Sequence, residues 1–159
     1  MDGFIKWRDE WLLGVATLDD QHKTLAECLN RLVRACSCRD ETGKLNDQQR
    51  SELLRTLLNE LYDRTKEHFN NEERLMRDEG YPDYASHARE HVMLLAELKS
   101  TFADRLNKEC CSMNADILKA LKFWLIAHIA RSDREFANYL HNKRAREAGR
   151  QDLEARFKP

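Results

Sequence analysis

The stretch His68–His91, HFNNEERLMRDEGYPDYASHAREH, decides how the rest of the chain is read. His68 and Glu72 stand four residues apart, as do His87 and His91, and a Gly80-Tyr81-Pro82 break separates the two pairs. Residues four apart share one face of a helix. The stretch therefore predicts two helices that fold back on each other and turn two pairs of ligand-type side chains toward one interior. Imidazole and carboxylate in that arrangement outline a metal site.

Working outward, the same stepping continues on both sides. Leu54, Leu58, Leu61 and Thr65 lead into His68, Glu72 and Leu75 without a change of register, so an apolar stripe becomes a ligand pair. After the break, Tyr84, His87, His91, Leu94, Leu98 and Phe102 form the next stripe. Upstream, Leu18, His22, Leu25, Leu29, Leu32 and Cys36 read as the inward seam of a first helix, and Asn46-Asp-Gln-Gln49 has the form of a capping box opening the second. Downstream, a fourth helix from Asn114 carries Ile117, Leu121, Trp124, Leu125 and His128, with Asp133 five residues on.

The expected fold is all-α, an up-down-up-down four-helix bundle of residues 18–140, with an N-terminal arm over 1–17 and a charged helical extension over 141–159. In that topology His22, His68 with Glu72, His87 with His91, and His128 with Asp133 all fall toward one end of the bundle. At about 1.5 Å rise per residue, each group lies roughly 5 to 20 Å from that end. A lone core histidine is ordinarily one satisfied by a neighbour. Four helices that each bring histidine to the buried stripe at one level are a different matter, because unpaired buried imidazoles and carboxylates cost several kcal/mol each. Of the six histidines only His141 stands outside the pattern, and it reads as a solvated residue.

Five imidazoles with two carboxylates and no thiolate suit iron, manganese or zinc, and seven ligands exceed what one ion takes. Two ions are implied. If Glu72, Asp133 and one solvent-derived oxygen each bridge, eleven of the twelve positions of two octahedral ions are filled and one stays open. Asp133 is out of step: five residues from His128 amount to about 140° on a regular helix. The expectation is a local widening of the π type over residues 129–133.

Composition limits what surrounds such a site. In 159 residues, 42% hydrophobic and 35% charged with only five Gly and two Pro, long amphipathic helices are favoured over a turn-rich sheet. The formal charge of -1 argues against nucleic acid or an anionic membrane as the main partner. No apolar run reaches spanning length, and Asp2, Lys6, Arg8, Asp9 and Glu10 interrupt the place of a signal-peptide core, so a cytoplasmic protein without membrane insertion is expected. The five cysteines lack zinc-finger spacing and read as reduced thiols. A redox-sensitive disulfide between Cys36 or Cys38 and Cys110 or Cys111 is the alternative. The arm, with Phe4, Trp7, Trp11, Leu12 and Leu13 in no sustained register, is expected to pack across the outside of the bundle.

Asp19-Asp-Gln-His22, His68-Phe-Asn-Asn-Glu72-Glu73, Tyr81-Pro82 before His87-Ala-Arg-Glu-His91, and Trp124-Leu-Ile-Ala-His128-Ile with Asp133 together resemble the hemerythrins, specifically the single-domain bacterial type, over roughly residues 4–140. The resemblance implies two iron ions (Fe2+/Fe3+) with an oxo or hydroxo bridge. His87, His91 and His128 would complete one, His22 and His68 would hold the other, and Glu72 and Asp133 would bridge both. It implies reversible dioxygen binding at the iron of His22 and His68, for carriage, storage, delivery or sensing, in a pocket whose candidate apolar lining is Leu25, Leu29, Phe69, Met76, Leu95, Leu125 and Ile129. The chain is not expected to be an enzyme. The alternatives are a di-iron peroxidase or oxidase, nitric oxide chemistry, or an iron or oxygen sensor acting through a partner. Enzymes of the ferritin-like kind use Glu-x-x-His pairs, and no Glu here has His three residues on. The extension after Leu140 either prolongs the last helix into solvent or docks a protein recipient or a second copy.

Overall fold

The computed structural model describes residues 4–37, 46–106 and 115–156. Its helices are α1 (Ala16–Ser37), α2 (Asp47–Asp78), α3 (Tyr84–Leu106), α4 (Ala115–His128) and α5 (Arg134–Arg156), with a π-turn over Ile129–Asp133 joining the last two into one rod. The backbone stays helical across both junctions, at His128 and at Arg134. The four rods form an antiparallel four-helix bundle, as the stripes require, with α1 packed on α2 and α4 and with α2 packed on α3. No helix among the described residues is long and apolar enough to cross a membrane.

The helix ends follow local chemistry. Asn46 caps α2 through the Gln49 N–H while the Gln49 side chain accepts from the Asn46 N–H, completing the capping box. At the other end Gly80 adopts φ +67°, which lets its N–H reach the Arg77 carbonyl and the Tyr81 N–H reach that of Met76. This pairing satisfies the last carbonyls of α2 and reverses the chain into α3.

The seams run as expected over Leu18, Leu25, Leu29, Leu32, Leu54, Leu58, Leu61 and Leu98, all buried. Two stripes are rotated by one residue. Met76 and Leu118 are buried where Leu75 and Ile117 are only half-buried, because a period of 3.6 does not stay on whole-residue steps over long helices. Leu95 is likewise only half-buried, on the flank of the His91–Leu98 stripe, so it is not an enclosed lining residue. Leu25, Leu29, Phe69, Met76, Leu125 and Ile129 are all buried.

The arm does more than cross the outside. Ile5, Leu13 and Val15 are part of the core, and Asn30 of α1 clasps Ile5 as a strand would, its Oδ1 accepting from the Ile5 N–H at 2.7 Å and its Nδ2 donating to the Ile5 carbonyl at 2.9 Å. Asp19 accepts from the Leu13 and Gly14 N–H groups, and the Arg134 guanidinium donates to the carbonyls of Leu12 and Glu10. Hydrophobic periodicity could not foretell this, since the arm's backbone is paired by side chains from α1, from α5 and, through Lys122 donating to the Phe4 carbonyl, from α4. An Asn30→Ala substitution, which strands a buried N–H, is expected to cost about 2 kcal/mol in a urea unfolding curve.

α5 prolongs the last rod through Gly149 to Arg156. His141 is exposed but not merely solvated: its Nε2–H donates to the Leu13 carbonyl at 2.8 Å, and its ring lies against Gly14, where a Cβ would meet it at 3.2 Å. Of the thiols in the disulfide alternative, Cys38, Cys110 and Cys111 lie outside the described residues. Cys36 is free, and burial pushes its pKa up to about 11, which leaves little reactive thiolate.

Candidate metal centre

The structure brings all seven sequence-predicted ligands to one buried place. Glu72, His87, His91, His128 and Asp133 form one group whose ligand atoms lie within 4.8 Å of one another, and His22, His68 and Asp133 form a second. Each side chain is buried, from fully enclosed His22, Glu72 and Asp133 to 8% exposed His128. The π-turn is what admits Asp133. The extra residue per turn rotates it back onto the face of His128, so a carboxylate five residues away stands 3.0 Å from the His128 Nε2.

Asp133 divides its oxygens between the two halves. Oδ1 lies 3.0 Å from His128 Nε2 and 3.2 Å from His87 Nε2, while Oδ2 lies 3.0 Å from His22 Nε2 and 4.0 Å from His68 Nε2. Glu72 Oε2 sits between them, 3.4 Å from His91, 3.6 Å from His87 and 3.9 Å from His68.

The far nitrogens of three imidazoles face side chains that sequence reading did not assign. His68 Nδ1–H donates to Gln21 Oε1 and His91 Nδ1–H to Glu73 Oε1, each at 3.0 Å. Glu90, held at 2.6 Å by the Ser132 hydroxyl, approaches His128 Nδ1 at 3.8 Å. A neutral ring that donates through Nδ1 must keep its lone pair on Nε2, so these contacts aim the lone pairs inward. Aromatic rings close the site: Phe69 stacks on His91 at 3.8 Å between centroids, and Trp7 of the arm stacks over His22 at 6.5 Å.

The family model of the hemerythrin HHE cation binding domain matches residues 13–140, which is most of the chain. The chain belongs to the hemerythrin family.

Among its relatives is a bacteriohemerythrin of Methylococcus capsulatus, 32% identical over 130 residues covering 79% of this chain and 87% of that one. A bacteriohemerythrin of Stenotrophomonas maltophilia is 31% identical over 133 residues, covering 83% and 78%. A crystal structure of a wild-type hemerythrin superposes with a TM-score of 0.70 at 24% identity, covering 85% of this chain and 96% of that one, a likeness of fold.

Whether this hemerythrin's own residues suit a pair of cations is answered by the atoms left without partners. Both oxygens of Glu72, both of Asp133 and the Nε2 of His87 are buried and, among the described residues, make no hydrogen bond of proper geometry, although nitrogen and oxygen approach within 3.0–3.2 Å around Asp133. Close donors and acceptors that fail to bond have their lone pairs directed at a common point instead of at each other. Buried polar groups are rarely abandoned in this way, and a cation between them satisfies all at once. The residues fit a dimetal centre.

Electrostatics agree. Burial holds His68 far below the ordinary imidazole pKa and, with the neighbouring His128 and His87, holds His91 at about 4. Burial and the Asp133 charge push Glu72 up to about 8. Burial opposes ionisation of Asp133 too, but the crowding imidazoles, His128 foremost, outweigh it and keep that carboxylate well below its usual range. A depressed imidazole gives stability above pH 6.5 that is lost as pH falls toward its folded value, here about 4 for His91. A raised carboxyl gives stability below pH 4.5 that is lost as pH rises through about 8. Metal-free protein is therefore expected to melt highest near pH 6.5, falling toward acid as His68 and His91 are forced to charge and toward pH 8 as Glu72 ionises. Melting curves of chelator-stripped protein from about pH 4 to about pH 9 check this, and a steady rise through pH 8 contradicts it.

Proposed function

We propose that this hemerythrin holds two iron ions and binds dioxygen reversibly, as an oxygen carrier, store, delivery protein or sensor and not as an enzyme. The observation that supports it most is the unequal division of ligands about the split Asp133 carboxylate: five groups on the side of His87, His91 and His128, but only His22 and His68 with Asp133 on the other. With fewer ligands from the chain, the poorer half would be the one that leaves a coordination position for a diatomic ligand. A ferrous pair held by the two halves would supply the electrons that a reversible bond to dioxygen requires.

The protein's part is to orient and to exclude. Gln21 and Glu73 fix two rings from behind, while Leu25, Leu29, Phe69 and Met76 shut water and stray proton donors out of the interior. Glu72 and Asp133 would offset about half of the positive charge of a ferrous pair, without any thiolate. Histidine-rich ligation without Glu-x-x-His pairs favours binding over oxygen activation. The proposed setting is the cytoplasm, with α5 as the surface for any recipient or second copy.

Anaerobic reconstitution with ferrous iron followed by exposure to oxygen tests the proposal. Two irons per chain and a visible charge-transfer band that disappears on deoxygenation and returns on re-exposure are expected. A band that decays within seconds to the oxidised form, with no recovery, overturns reversible binding in favour of an oxidase or peroxidase.

A further inference from the structure

The two halves of the site are supported unequally from behind. On the three-histidine side, His91 is backed by the Glu73 carboxylate at 3.0 Å and His128 faces the Glu90 carboxylate at 3.8 Å. On the two-histidine side, His68 is backed by a neutral amide, Gln21, and the buried Nδ1 of His22 has no hydrogen-bond partner among the described residues. A carboxylate behind an imidazole strengthens the ring as a donor to a cation, whereas an amide only orients it.

Glu90 owes its position to the π-turn. Ser132 lies inside that turn, 8% exposed, and donates to Glu90 Oε2 at 2.6 Å, joining α3 to the last rod beside His128. The same irregularity that turns Asp133 inward thus turns Ser132 toward α3. Glu90 and Ser132, with Trp124 and the edge of His128, line an open groove of about 530 Å³ between α3 and α4. At 3.8 Å the carboxylate is beyond a direct hydrogen bond to Nδ1, at the reach of a single water or a small closing movement.

We propose that the centre fills in order, with the half made by Glu72, His87, His91, His128 and Asp133 taking its cation before the half made by His22 and His68, and that Glu90, held by Ser132, is a positioning residue for that first step. The proposal rests on the reading of the site as a pair of cations. Charge and ligand number act in the same direction. The first half offers five ligands, and two carboxylates stand behind its rings. The second offers three, with Glu72 farther off at 3.9 Å from His68, and it would share Asp133 with an ion already bound. Filling the first half also fixes Asp133, which then presents Oδ2 to His22 and His68.

Titrating chelator-stripped protein with Co2+ under anaerobic conditions, followed by calorimetry and by the visible bands of the bound ion, reads the two steps without oxygen chemistry. Two resolved steps are expected. Glu90→Gln should weaken the first about tenfold and leave the second unchanged, since losing such an outer partner costs at least that much metal affinity. Ser132→Ala should act in the same direction. Gln21→Leu should weaken only the second, and His22→Ala should abolish the second while sparing the first. Melting curves of the metal-free variants separate this from general destabilisation, which would weaken both steps together. Two ions of equal affinity, a Glu90→Gln variant that weakens both steps alike, or loss of the first step in His22→Ala overturns the order. Failure of the unmodified protein to bind any Co2+ overturns the paired-cation reading along with it.

Discussion

Asp133→Ala is expected to leave at most one iron per chain after reconstitution and to remove most of the stabilisation that metal would confer. Asp133 is the one side chain present in both ligand groups, with Oδ1 on His87 and His128 and Oδ2 on His22 and His68. Any of the five histidines can be lost at the expense of one half, whereas losing Asp133 damages both. Metal that binds only the folded chain stabilises it by about 4 kcal/mol when present at roughly a thousand times its dissociation constant. That increment, measured as the difference between loaded and stripped unfolding curves, should nearly vanish in the variant. The stripped protein should change much less, since the substitution deletes a fully buried carboxylate whose oxygens have no hydrogen bonds there. Full iron content with an unchanged difference between the curves would show that Asp133 is not a ligand.

The largest effect on the fold itself is expected from Phe136→Ala, at about 3–5 kcal/mol in stripped protein. Phe136 is fully buried three residues beyond Asp133, at the start of α5, and its ring packs 5.0 Å from that of Tyr81. Tyr81 in turn packs on Tyr139 and His87, and Tyr139 donates to the carbonyls of Glu79 and Gly80. The ring therefore joins the end of the π-turn to the reversal between α2 and α3. Removing it leaves a cavity where neither backbone can close up, since one is held by the helix and the other by the Gly80 turn. Urea unfolding gives the number directly; a loss under about 1 kcal/mol would mean that the neighbouring aromatics collapse into the space.

The helix count and the gathering of seven ligand-type side chains were legible because both depend on spacing along one chain. His68 with Glu72 and His87 with His91 are four-residue steps, and such steps share a face wherever the helix ends up. Even the π-turn was legible, since Asp133 falls about 140° from His128 on a regular helix and could join it only through a local widening. The arm was not, because its backbone is held by Asn30, Asp19 and Arg134, residues up to 124 positions distant whose side chains give no periodic signal. Nor were the partners behind the rings. Gln21 and Glu73 sit beside ligands in sequence but each serves a histidine of another helix, 47 and 18 residues away.

What this sequence determined alone is therefore everything that helical periodicity carries: four amphipathic rods, their caps and reversal, and a layer of imidazoles and carboxylates at one level. Tertiary structure decided what depends on how the rods are rotated and spaced. It placed the carboxylates of Glu73 and Glu90 behind one half of the centre and the neutral Gln21 behind the other, and it left a groove between α3 and α4. The reason is one of range. A residue's face follows from its neighbours within a turn or two, whereas the atom it meets across the core follows from the packing of every other side chain in the bundle.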